Sequence, residues 1–212
     1  MIRVWLQAVA ALPLLPHLDP DLHLSLSDAE SARARTMRCP QQRDSYVAIH
    51  RWMHARVAEV LGVPEDRLSF GIDRCGAPVL DGFVHHLGLS HHRDHVALAM
   101  SDGEPVGIDV LTVPRDVTFL ADTALVLSAA EITLVRSAEP ERRGTVFATC
   151  WTRKEACAKL LRTGLTEGMD RLTLTPSVER GASARLWTTR LGDAVVSVAT
   201  DLGVPLDVAV VG

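Results

Sequence analysis

The segment Cys150-Trp-Thr-Arg-Lys-Glu-Ala-Cys-Ala-Lys-Leu-Leu-Arg-Thr-Gly164 decides how this chain is read. Helical spacing sets Trp151, Glu155 and Lys159 at i, i+4 and i+8 on one face, leaves Cys150, Cys157, Leu160 and Leu161 as a buried side, and makes Gly164 a stop signal. A carboxylate and an ammonium therefore project together. Such a pair is ordinarily a solvated helix bridge worth about 0.2–0.5 kcal/mol. Composition argues otherwise. Lysine and arginine together number 22, yet the only lysines are Lys154 and Lys159. A chain that uses arginine for every other cation and sets both lysines in this segment needs compact, mobile ammonium groups there, which points to a phosphate or leaving-group contact.

The 212 residues can bury a large core as one domain or two small subdomains. A net charge of -4 gives no basic field for nucleic acid or an anionic membrane, so any anion site is local. Cys39, Cys75, Cys150 and Cys157 show no C-x-x-C spacing, which predicts reduced, mostly buried thiols in a cytoplasmic protein. The apolar start, Val4 to Leu15, is interrupted by Gln7 and Pro13 and reads as a strand and loop rather than an export signal. No run approaches the length of a membrane span.

Alternation predicts a strand from Ile2 to Ala8, then a turn through Pro13, Pro16 and Pro20. A basic helix over Ala29–Arg38 follows, capped by Ser27 or Asp28 and ended by Pro40, and a longer one over Arg43–Leu61 carries a broad apolar stripe. Leu68–Ile72 reads as a strand and Asp73–Pro78 as a turn. After a stretch with five histidines, His85 to His95, the alternating runs 96–100 and 106–110 predict a hairpin. Asp109 faces away from the apolar residues of its run, where a carboxylate needs a partner or a metal. Helices are expected over Ala121–Leu127, from a Ser128 to Glu131 capping box, and over Val146–Leu161, with Glu139–Gly144 exposed between them. Alternation then predicts strands at 171–175, 184–189, 195–200 and 206–211. Strands with inserted helices and no regular βαβ alternation define an α+β fold.

Three groups carry chemistry: Ser90-His91, Gly107-Ile108-Asp109, and Trp151-Thr-Arg-Lys154-Glu155-Ala-Cys-Ala-Lys159. Their order and spacing, with the turn Gly76-Ala77-Pro78, resemble the 4'-phosphopantetheinyl transferase superfamily, specifically its large, surfactin-synthetase-type monomers. The resemblance implies two pseudo-symmetric α+β halves, an N-terminal one over 1–110 on the nucleotide side and a C-terminal one over 111–212 with the metal helix and the carrier-docking surface. It implies a transfer of 4'-phosphopantetheine from coenzyme A to a serine of an acyl or peptidyl carrier protein, releasing adenosine 3',5'-bisphosphate.

In that reading Asp109 and Glu155 hold Mg2+ against the pyrophosphate, and Lys159 contacts the same phosphates. Glu155, directly or through a water, is the base for the carrier serine. His91 with Ser90 takes the 3'-phosphate of coenzyme A, Lys154 adds a contact, and Arg43 with Arg33 or Arg35 meets the nucleotide. The chain departs from the pattern twice. Leu111 stands where many members have a second acid on the aspartate strand, and Ala77 stands where the turn usually has lysine, a loss Arg74 can offset. One chain holding both halves is expected to act as a monomer. Two other readings follow from the residues: a coenzyme A binder without turnover, motivated by Leu111 and Ala77, and a zinc hydrolase using the histidines. The latter is disfavoured because neighbours in a strand point to opposite faces.

Overall fold

The computed structural model describes residues 1–12, 26–117, 126–164, 169–175, 180–181, 184–201, 203 and 207–211. The expected turn through Pro13, Pro16 and Pro20 and most of the helix expected from Ala121 lie outside them. Helix α1 (Asp28–Thr36) starts at Ser27, whose hydroxyl accepts from the Glu30 amide while the Glu30 carboxylate accepts from the Ser27 amide. Helix α2 (Pro40–Leu61) begins at the proline expected to end the preceding helix. Proline at the first helical position costs nothing, because the N–H it lacks has no intrahelical partner there.

Helix α3 (Ala129–Ser137) repeats the capping box with Ser128 and Glu131, and α4 (Pro140–Leu161) again starts on a proline. The charged stretch expected as a loop, Glu139–Gly144, is therefore the cap and first turns of α4. Its end is corrected too. The left-handed closing residue is Arg162, at φ 58°, and not Gly164. Leu161 is exposed rather than buried.

Strands β1 (Ile2–Ala8), β4 (His86–His92) and β5 (His95–Ser101) form one sheet with β10 (Val208–Val211), in the order β10-β1-β5-β4. Strands β6 (Val106–Thr112), β7 (Arg180–Gly181), β8 (Ala184–Leu191) and β9 (Ala194–Asp201) form the second, in the order β6-β9-β8-β7. A small hairpin joins β2 (Phe70–Ile72) to β3 (Pro78–Leu80).

Two strand expectations change. The runs 96–100 and 106–110 are not a hairpin: β5 pairs with β1 and β4, whereas β6 crosses to the second sheet and pairs with β9. Residues 171–175 are not a strand, because Leu172 and Leu174 turn into the core beneath α4 from an irregular segment after a short 3-10 turn. The last strand, β10, lies parallel to β1, so the C-terminal end returns to the first sheet. The boundary expected after residue 110 falls inside β6.

The architecture is α+β, with the inner faces of the two sheets packed on each other through Ile2, Val4, Ala97, Ile108, Val110, Val196 and Val198. Helix α2 covers the outer face of the first sheet through Met53 and Val57, and α4 covers the second through Ala156, Cys157 and Leu160. No helix among the described residues is long and apolar enough to cross a membrane.

Edge strands β4 and β6 belong to different sheets but lie side by side. Ser90 and His92 of β4 accept from the amides of Val110 and Thr112 at 3.4 and 3.2 Å. On the opposite side of β6, a Cβ at Gly107 would stand 2.0 Å from the Ala156 carbonyl and 2.6 Å from the Leu160 amide. The helix backbone rests directly on that strand. Gly107→Ala is therefore expected to cost about 3 kcal/mol or more by urea unfolding, because backbone has to move to admit one methyl.

Candidate active site

Trp151, Glu155 and Lys159 project from successive turns of α4 into a cavity of about 780 Å³ between the two sheets and their helices. Its other walls come from α1 (Arg33, Met37), α2 (Tyr46, Ile49, His50), the 73–78 turn, the end of β4 (Leu89 to His92) and β6 (Asp109 to Leu111). The turn is shaped by Asp73, whose Oδ1 accepts from the Cys75 and Ala77 amides, with Gly76 at φ 84°. Only glycine adopts that value without strain. The turn is tied to the end of α4 by the Arg162–Asp73 ion pair at 2.9 Å.

Asp109, 6% exposed, has the partners its burial demands. Its Oδ1 accepts from Ser90 Oγ at 2.7 Å and Lys159 Nζ at 2.6 Å, and Lys159 also donates to Ser90 Oγ at 2.9 Å. A serine hydroxyl has one proton to give and two lone pairs. Ser90 gives its proton to Asp109 and accepts from Lys159 and Val110, so its hydroxyl orients the aspartate. The expected grouping of Ser90 with His91 on one phosphate is thereby divided.

Burial, and then the charge of Asp109, push the Glu155 carboxyl above its usual range, with Lys159 opposing them. Two carboxylates thus approach closely enough to repel in one cavity, with one ammonium shared between them. His91 also lines the cavity, held below the usual imidazole range by burial first and by Lys159 next.

Lys154 is a correction. It is fully buried, 3.0 Å from Glu131, and donates to the carbonyls of Met169 and Leu172. Glu131 also accepts from the Leu174 amide at 2.6 Å. The two lysines that look alike in sequence therefore divide: Lys159 serves the cavity, while Lys154 locks α4 to α3 and the 169–174 segment. Helix phase separates them, since five residues turn α4 by well over a full turn. Arg43 is the second correction, because it stands on the first turns of α2, near Asp44, and outside the cavity lining. Arg33 and Arg74 are in the lining.

Two functional features escape the sequence: the buried Glu30, which accepts from His50 Nδ1 at 2.7 Å and His54 Nε2 at 3.0 Å, and the cavity-facing position of His50. A Ser-x-x-Glu capping box marks Glu30 only as a helix start. The four cysteines are free thiols, with Cys150 pushed up to about 12 and Cys157 to about 11 chiefly by burial, so both are inert.

An acidic pair and a lysine thus line one cavity between the two packed sheets of an α+β protein, a set of hard oxygen donors beside an ammonium. Residues 105–206 match the model of the 4'-phosphopantetheinyl transferase superfamily. The chain is 33% identical over 132 residues to the 4'-phosphopantetheinyl transferase psf-1 of Bacillus pumilus, covering 61% of this chain and 55% of that protein. It is 39% identical over 72 residues to the 4'-phosphopantetheinyl transferase AcpT of Salmonella typhi, covering 34% and 37%. The matched segment thus spans about half of the psf-1 relative or less of the other.

The raised Glu155 carboxyl has a stability signature. It binds more protons folded than unfolded between the ordinary glutamate value and its own, so stability falls as pH rises through that window. In buffer without divalent cations, Glu155→Gln is expected to be more stable than wild type at neutral pH. The difference in unfolding free energy should shrink on acidification and vanish below about pH 4.

Proposed function

We propose that this chain transfers 4'-phosphopantetheine from coenzyme A to a serine of an apo acyl or peptidyl carrier protein, releasing adenosine 3',5'-bisphosphate. The observation that carries this is the meeting of Asp109 from β6 and Glu155 and Lys159 from α4 in one cavity wide enough for a nucleotide. Both halves lie in one chain, which supports a monomer of the large, surfactin-synthetase type.

Mg2+ fits the donor set. Asp109 and Glu155 are hard oxygen donors whose mutual repulsion lacks full compensation within the protein. Among the described residues no three or more His, Cys, Asp or Glu side chains form a ligand cluster. Two carboxylates suit an ion that keeps several waters and shares phosphate oxygens. When bound, it supplies charge stabilisation to the pyrophosphate and the leaving phosphate.

The chain's own groups do the rest. Ser90 holds Asp109 in place. Lys159, its side chain 37% exposed, can swing from Asp109 to a phosphate oxygen and neutralise charge that grows as the P–O bond to the departing nucleotide breaks. Glu155, whose basicity burial increases, accepts the proton of the carrier serine as its oxygen bonds to phosphorus. Leu111 beside Asp109 leaves a position for water where a third acid would stand. Arg74 on the cavity wall takes over the phosphate contact that Ala77 lacks. A cytoplasmic location fits a reaction on coenzyme A and carrier proteins, and the free thiols support it.

Mixing the protein with coenzyme A, Mg2+ and an apo carrier should add the mass of one phosphopantetheine to the carrier. Asp109→Ala and Glu155→Ala are each expected to lower kcat/KM by about 100-fold or more while the far-UV spectrum stays that of wild type. Tight coenzyme A binding with no mass gain would instead make the chain a binder without turnover, and full activity in Glu155→Gln would remove Glu155 from both roles.

A further inference from the structure

We propose that Arg162 is a positioning residue: by clasping Asp73 it holds the 73–78 turn, and Arg74 with it, in the wall of the main cavity before coenzyme A arrives. This rests on the coenzyme A reading above, in which Arg74 supplies a phosphate contact. Arg162 lies outside the lining of the main cavity, so it acts through the turn and not on the substrate.

The backbone at the end of α4 gives no reason for an arginine there. Helices α2 and α4 close in the same way: the amides of Gly62 and Arg162 reach the carbonyls three and four residues back, and the amides of Val63 and Thr163 reach Ala58 and Ala158. Gly62 takes φ 63° freely, whereas a Cβ makes φ 58° unfavourable for Arg162. A cation could meet the helix dipole from elsewhere in the last turn without that cost. What position 162 supplies is reach.

Arg162 Nη1 stands 2.9 Å from Asp73 Oδ2, while Asp73 Oδ1 accepts from the Cys75 and Ala77 amides at 2.8 and 2.9 Å. The two carboxylate oxygens thus have separate tasks, one folding the turn and the other fastening it to α4. A second bond runs in the opposite sense, from the Cys75 thiol to the Arg162 carbonyl at 3.4 Å. Between the clasped elements lies a second cavity of about 320 Å³, and the residues that line it include Cys75, Ala77, Ala158 and Lys159. Cys75, Ala77 and Ala158 are too short to fill it, so polar bonds set the distance between turn and helix. A turn fastened in advance does not have to be ordered by its ligand, and ordering at the moment of binding weakens affinity. The clasp therefore serves coenzyme A binding and leaves the chemical step at Glu155 and Lys159 alone.

Arg162→Gly removes the fastening and admits φ 58° without strain, so stability and binding should part company. Its melting temperature is expected to equal or exceed that of wild type. By calorimetric titration with Mg2+ present, its Kd for coenzyme A should rise about fivefold, while kcat for transfer to an apo carrier stays within about twofold of wild type. Asp73→Asn keeps an oxygen for the two amides but loses the charge that Arg162 meets, and should weaken coenzyme A to the same degree. The double variant should bind no more weakly than either single one, because both remove one link. An unchanged Kd in Arg162→Gly, a loss confined to kcat, or additive losses in the double variant overturns the positioning role. A wild-type protein that does not bind coenzyme A overturns the coenzyme A reading itself, a separate result.

Discussion

The close seating of α4 on β6 at Gly107 is the constraint on which the rest depends. A strand and a helix normally stand apart by the length of their side chains. Here the missing Cβ lets the Ala156 carbonyl and Leu160 amide approach the strand backbone. That proximity brings Lys159 within 2.6 Å of Asp109 and Glu155 close enough to feel the same charge. A methyl at Gly107 would push apart the two elements that carry the acids. Side-chain bonds from Ser90 and His92 complete the junction by holding β4 to the other side of β6, where an ordinary sheet would use a backbone ladder.

Two stretches of the chain repeat one helical plan and then present different groups to the cavity. Each has a nine-residue helix opened by a serine cap and a buried glutamate, followed by a 22-residue helix that starts on proline and closes in the left-handed region. Counting from those prolines, His54 stands where Lys154 does, Ala55 where Glu155 does, and Glu59 where Lys159 does. The buried glutamate in each stretch joins the short helix to the long one, through His50 and His54 in the first and through Lys154 in the second. Removing one partner of a buried ionic network leaves an uncompensated charge at a cost of about 3–5 kcal/mol, so both links fix helix position firmly. Only the second long helix carries an acid and an ammonium into the cavity. The first carries the imidazole wall.

Arg162 shows how the same plan was adapted. Its counterpart Gly62 takes the left-handed conformation without cost, whereas arginine at φ 58° does not. The side chain placed there reaches Asp73 across the cavity rim at 2.9 Å, which ties the turn bearing Arg74 to the helix bearing Glu155 and Lys159. A local backbone cost is thus exchanged for a link between the two sides of the site.

What the sequence determined alone is whatever local physics and fixed spacing control. The phase of α4 set Trp151, Glu155 and Lys159 on one face, a cap candidate at Ser27 or Asp28 and the Ser128 to Glu131 capping box located the starts of α1 and α3, alternation located β1, β8 and β9, and an acid on an apolar strand announced that Asp109 needs partners. Tertiary structure decided which strand pairs with which, because alternation at 96–100 and 106–110 records buried faces and not neighbours, so a sheet crossing reads like a hairpin. It also decided which cation faces the cavity. Helix phase turns Lys154 away from the face of Trp151, Glu155 and Lys159, and the position of Glu131, brought in from another helix, makes it a buried strut while Lys159 reaches Asp109. Glu30 and His50 were hidden for the same reason: a carboxylate and an imidazole twenty residues apart become one device only when α1 packs on α2.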